Sequence, residues 1–236
     1  MKTKTLTAIV ASALIALSPV AHAIDQKVVS TDKTGIVYKL KESEVLQQLK
    51  NLASEGQKED GWYYITGTGE LVDYGKDRSQ GTFKPEISVI LKKSPKPNEV
   101  IHYHIHPSYH HMLDSYPRSD LKDLAGLQPP SYADISSWYA ELEALKKNGI
   151  SVKEFRVVDC KGYWSVDLER SDPKKLSSDE FVIKYELLLS SHITDYLRNY
   201  WLNKANGVSS HIQKWLITLF EGKSARLGLY LTYNPI

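Results

Sequence analysis

Val100-Ile-His-Tyr-His-Ile-His-Pro-Ser-Tyr-His-His111 holds five of the chain's eight histidines. Its first half reads as a strand. Side chains two apart on a strand point to the same side, so His102, His104 and His106 share a face. Two imidazoles one pleat apart can both reach one small cation. Zinc suits them, because it takes neutral imidazole nitrogens, and its catalytic sites use three protein ligands and one open position. Pro107 lacks the donor for the next ladder bond and stops the strand. The pair His104 and His106 thus sits where a strand leaves a sheet. His102 lies deeper and is expected to be a sheet residue or a supporting one. Tyr109, His110 and His111 fall in the polar segment beyond.

Working outward, the pattern is mixed. Val45, Leu46, Leu49, Leu52 and Ala53 recur at helical spacing, and Gly56 follows as a stop. Trp62 to Val72 reads as two strands around the turn Thr66-Gly67-Thr68-Gly69. Glu86 to Leu91 is expected to be a third strand and Glu99 to His106 a fourth. After the polar stretch from Ser108 to Pro129, Ser131 is a plausible N-cap. Ile135, Trp138, Tyr139, Leu142 and Leu145 then line one face of a helix that Gly149 ends. Ser151–Val158 and Tyr163–Leu168 form another hairpin about Asp159-Cys160-Lys161-Gly162. Ser177 with Glu180 reads as a capping box before a helix to about Asn203. Ile212, Trp215, Leu216, Leu219 and Phe220 mark a further amphipathic helix, and Leu227 to Tyr233 alternates like a strand. The fold class is α+β: a mixed β-sheet flanked by helices, with a helical C-terminal extension.

A zinc site needs a third ligand. Pro130-Ser131-Tyr132-Ala133-Asp134 offers one, since Asp134 lies in the first turn of the Ser131 helix. Ordinary capping chemistry also explains a Ser at the cap and an Asp three residues on. Asp120 and Asp123, in the intervening segment, are the other carboxylates to consider.

His104-x-His106-Pro107 followed by Pro130-Ser131-x-x-Asp134 resembles the JAMM family of metalloproteases, also called MPN+ or Mov34-like, and the related RadC-type bacterial proteins. The resemblance runs from about Val37 to Leu168. It implies a JAMM/MPN-like sheet, a zinc ion on His104, His106 and Asp134, and Ser131 holding a developing oxyanion, worth about 3 kcal/mol by analogy with other single donors. It also implies an upstream glutamate as general base on the attacking water. Glu86, after Pro85, is the expected residue, and Glu70 is its rival. Glu99 lies on the histidine strand roughly 16 Å from His104 at strand rise. One departure is clear: 22 residues separate Pro107 from Pro130, where the family has a handful. An insertion there would border the site, and a third ligand could come from within 108–129.

The ends bound the rest. Met1-Lys-Thr-Lys4, the short apolar run Leu6–Leu17, Pro19 and Ala21-His22-Ala23 read as a secretory leader cleaved after Ala23. Residues 24–170 would then form the hydrolase domain and 171–236 a helical extension packed on it, with no membrane span after cleavage. The formal charge is +2 and the leader carries Lys2 and Lys4, so the mature chain is near neutral. With no basic stripe, nucleic acid is not an expected partner. The lone Cys160 has no internal partner for a disulfide and is expected to be inert. A periplasmic or secreted zinc peptidase or amidase acting on a peptide or protein of the cell envelope is the leading expectation. A catalytically silent MPN-type interaction module and a periplasmic metal-binding protein are the alternatives. His192 and His211 are expected to be surface or packing residues, and Trp201, Trp215 and the C-terminal tyrosines core.

Overall fold

The computed structural model describes residues 28–32, 35–55, 59–74, 86–106, 129–167, 170–176, 178–203 and 210–236. The leader, the histidines at 110 and 111, and Asp120 and Asp123 lie outside the described residues. In chain order come β1 (Val28–Asp32), β2 (Gly35–Lys39), α1 (Glu42–Glu55), β3 (Asp60–Ile65), β4 (Glu70–Asp73) and α2 (Ser88–Leu91). Then follow β5 (Glu99–Ile105), α3 (Tyr132–Lys147), β6 (Ser151–Val158) and β7 (Gly162–Val166). The chain closes with α4 (Pro173–Leu176), α5 (Asp179–Leu202), α6 (Ser210–Arg226) and β8 (Leu231–Pro235).

All eight strands join one sheet in the order β1-β2-β4-β3-β5-β6-β7-β8. Among the described strands, only β5 and β6 run parallel. Every other pair is antiparallel. A parallel pair needs a crossover, and α3 lies between β5 and β6 in the chain. The histidine strand is therefore central, between β3 and β6, with α3 packed beside it.

Alternation divides the core. On one face Trp62, Tyr64, Ile101, Tyr103 and Ile105 meet Val45, Leu49 and Leu52 of α1. On the other, Phe155, Val157, Trp164 and Val166 meet Ile135, Trp138 and Leu142 of α3, together with Phe181 and Phe220 from the C-terminal helices. Each such side chain contributes roughly 1.5–3 kcal/mol when fully buried. His102, His104 and His106 share this second side with α3, as the period of two requires. Among the described residues, no helix is long and apolar enough to cross a membrane.

Several expectations change. Glu86–Leu91 is not a strand: Ser88–Leu91 is a helical turn, entered through Ile87 at φ −54°, ψ −24°. A short apolar run does not distinguish strand from helix by itself. The run instead packs Ile90 into a cluster with Val72, Val100 and Leu145. The β1–β2 hairpin was not anticipated, because its strands carry no clean alternation. The last strand starts at Leu231 rather than Leu227, as the chain leaves α6 through Gly228 at φ 89°. It adds to the edge of the sheet beside β7, so the C-terminal part contributes a strand as well as helices. The cap of α5 is Ser178, which accepts from the Phe181 amide. Ser177 lies outside the described residues.

Trp201 and Trp215 are not core: they are 52% and 59% exposed. Their helices pack through Tyr196, Tyr200, Leu216 and Phe220, which turns both indoles outward. His192 is buried against Phe220 and Tyr196, whereas His211 is exposed. Cys160 is a partly exposed thiol, in no disulfide, in the β6–β7 turn. Asp159 organises that turn, its Oδ1 accepting from the amides of Lys161 and Gly162 and from the Tyr233 hydroxyl.

Candidate metal centre

Three elements converge at one end of β5. His104 closes the histidine strand with Ile105, and the His106 N–H donates to the Val158 carbonyl at the end of β6 (3.0 Å). The two imidazoles lie edge to face, 4.9 Å between centroids. Gly61 is the cross-strand partner of His104, so β3 places no side chain opposite that ring.

The helix N-terminus supplies the aspartate. Ser131 caps α3 with a full capping box: its Oγ accepts from the Asp134 amide, and its own N–H donates to Asp134 Oδ2 at 2.7 Å. The Ser131 hydroxyl donates to the same Oδ2 at 2.8 Å. Asp134 is thus held while it faces the histidines. Its Oδ1 lies 3.5 Å from His104 Nε2 and its Oδ2 3.3 Å from His106 Nε2. One side chain therefore both completes the cap of α3 and lies beside the two imidazoles.

Glu59 is the residue that the sequence did not single out. It precedes Asp60, which pairs with Ile105, so the antiparallel register of β3 and β5 brings it level with the end of the histidine strand. Its Oε2 lies 3.8 Å from His104 Nε2. Glu59, His104 and His106 offer ligand atoms that all lie within 4.8 Å of one another. This two-histidine, one-glutamate cluster is a candidate metal-binding site and resembles the JAMM-type motif. Locally, Glu59 follows a polar helix-to-strand connection and looks like any loop carboxylate. The only sequence signal is an acidic residue at the head of the strand that pairs antiparallel with the histidine strand.

The other glutamates lie elsewhere. The Glu86 amide donates to the Tyr74 carbonyl and its carboxylate accepts from Ser88 Oγ (2.9 Å), outside the cluster. Glu70 pairs with Ile65 at the far end of β3, six residues from Glu59 or about 20 Å at strand rise, near Lys93. Glu99 is at the far end of β5 and accepts from Thr66 Oγ1.

Two imidazoles and a carboxylate are a donor set that could coordinate a metal ion. Asp134 reaches the two imidazoles through different oxygens, Oδ1 to His104 at 3.5 Å and Oδ2 to His106 at 3.3 Å. The histidine side chains are 3% and 5% exposed, against 12% for Glu59 and 15% for Asp134, so the carboxylates form the open rim. Burial pushes His104 down to about 4, against the pull of Asp134. Burial works to raise Asp134, but the adjoining His104, then His106 and Ser131, hold it well below the usual carboxylate range. Neutral imidazole and ionised carboxylate are the forms that bind metal.

That histidine sets a pH dependence of stability. The folded His104 titrates near 4 and an unfolded one near 6.5, so the unfolded chain takes up the proton first as pH falls. The stabilisation is present above about pH 6.5 and is lost toward pH 4, on the order of 3 kcal/mol in all. Urea unfolding of metal-free protein should show the midpoint dropping across that window. A midpoint unchanged between about pH 7 and pH 4 would contradict it.

No protein-family model matches the chain, and comparison with curated proteins and with solved structures finds no match either.

Proposed function

We propose that this protein is a metal-dependent hydrolase of the JAMM type that cleaves a peptide or isopeptide bond. His104, His106 and Asp134 hold the metal, and Glu59 is the general base. The observation that carries the reading is Glu59: a second carboxylate beside the imidazoles, brought there from another strand, is what hydrolysis needs beyond binding. A bound zinc ion would supply an acidified water and polarise the scissile carbonyl.

The chain's own groups do the rest. Glu59 stands at the rim, where it accepts a proton from the attacking water and returns it to the leaving amine. Burial keeps His104 neutral, so its nitrogen is available as a donor to metal. Asp134 contributes negative charge, and its orientation is set by Ser131. Ser131 spends its one hydroxyl proton on Asp134 Oδ2, so its first role is to hold that ligand. Service to an oxyanion would require the hydroxyl to rotate away. Glu86, given the base role from sequence, is assigned none here.

With the leader read at residues 1–23, the enzyme would act outside the cytoplasm, on a peptide or protein of the cell envelope. The test is elemental analysis of mature protein purified without chelator, beside hydrolysis of a fluorogenic mixed-sequence peptide library. One zinc per chain with hydrolysis that a chelator abolishes is the expected result. One zinc without hydrolysis of any amide would favour the silent module, and no zinc would overturn the reading.

A further inference from the structure

We infer that Glu141 and His102 are positioning residues for the metal centre: they lock the register of α3 on β5, and so deliver Asp134 to His104 and His106. The inference rests on the metal site proposed above.

Two carboxylate–imidazole contacts join α3 to β5. At the mouth, Asp134 meets His104 and His106. Deeper, Glu141 Oε2 lies 3.1 Å from His102 Nδ1, a close approach that falls outside hydrogen-bond geometry. The two carboxylates are seven residues apart, which on a helix is two turns and the same face, about 10.5 Å along the axis. The histidines stand on one face of the strand. Helix and strand therefore run a matched ladder of acids and imidazoles, and only its outer rung belongs to the metal.

The inner rung has little to do with covering apolar surface. Glu141 is 6% exposed and His102 1%, among the rings of Tyr63, Tyr74, Trp138 and Phe155. Glu141 accepts from the Tyr63 hydroxyl at 2.7 Å and from Ser137 Oγ at 3.2 Å. The other imidazole nitrogen, Nε2, meets the Tyr74 hydroxyl. Such a group is costly to bury, and an apolar pair of the same volume often stabilises as well or better. What a polar cluster adds is geometry. An apolar helix face can slide or rotate on its neighbour with small loss. Here a slide of one turn, about 5.4 Å, would leave the Glu141 carboxyl group among aromatic rings, away from partners on both β3 and β5. Metal ligands must hold their distances to within about 0.2 Å, so even a small shift of α3 at Asp134 matters.

The test measures zinc affinity by chelator competition, folding stability, and the visible spectrum of the Co²⁺-substituted protein. The main variant is the apolar pair His102→Leu/Glu141→Met. It should still unfold cooperatively, though less stable than wild type because the buried Tyr63 and Tyr74 hydroxyls each lose a partner, yet bind zinc at least about tenfold more weakly with an altered Co²⁺ spectrum, the size of effect known for groups supporting metal ligands. A folded variant with wild-type affinity and spectrum would overturn the inference. Should the double variant not fold, Tyr63→Phe removes one bond to Glu141 and keeps the ring. A several-fold weaker zinc affinity is expected there, and unchanged affinity and spectrum would again overturn the inference. Wild-type protein that binds no zinc overturns the site itself, a different result from wild-type binding that the variants leave intact.

Discussion

Glu59→Gln is expected to reduce hydrolysis by about 10²–10⁴-fold while the protein still binds one zinc per chain, because general-base catalysis contributes on that scale. The substitution keeps the shape of a side chain that lies 3.8 Å from His104 Nε2 and removes only its ability to take a proton. Fold and metal content should persist, since Asp134 lies closer to both imidazoles, at 3.5 and 3.3 Å. Activity of the peptide assay and zinc content, measured on the same preparation, separate the roles. Loss of zinc together with activity would make Glu59 a ligand rather than the base. Full activity would remove it from the site. The parallel variant Glu86→Gln should leave hydrolysis near wild type, because that carboxylate is engaged by Ser88 away from the cluster.

His106→Ala should abolish zinc binding at micromolar metal and with it all hydrolysis. Removing a group that merely supports a ligand costs about 10–100-fold in metal affinity, and removing a ligand costs more. The truncation also takes away the 3.3 Å partner of Asp134 Oδ2, leaving that carboxylate with Ser131 and His104. The fold should survive. The imidazole sits at the end of the strand, and the backbone bond from the His106 N–H to Val158 does not depend on the side chain. Isothermal titration with zinc on the folded variant checks this. Retained stoichiometric binding would mean that other residues hold the ion, and the assignment of His106 would fall.

Part of the candidate site was legible in the sequence. The His104-x-His106 pair followed from a two-residue period on a β-branched, aromatic strand, and β5 is that strand. Asp134 was singled out by the resemblance of Pro130-Ser131-x-x-Asp134 to the family motif, and the capping box that its spacing also allowed is there. These are local facts, carried by spacing along one element. The helices α1, α3 and α6 were legible for the same reason, since each repeats its apolar residues at a helical period, and α5 from a capping pattern at its start.

What escaped was non-local. Glu59 sits in a polar connection, and nothing within ten residues marks it. It becomes part of the site because Asp60 pairs with Ile105 across an antiparallel ladder, a register that depends on both strands at once. Glu86 looked suitable because it follows Pro85 at the head of an expected strand, but the run after it is the helical turn Ser88–Leu91, with Ile90 packed among Val72, Val100 and Leu145. Glu141 reads as one more helix carboxylate until Tyr63 and His102, on two different strands, are brought to it. By itself the sequence determined which polar residues stand together along a strand or at a helix start, because periodicity and capping act over a few residues. Only the tertiary structure decided which carboxylate joins the two imidazoles in the candidate metal cluster, because strand register and sheet order bring together residues that the chain keeps far apart.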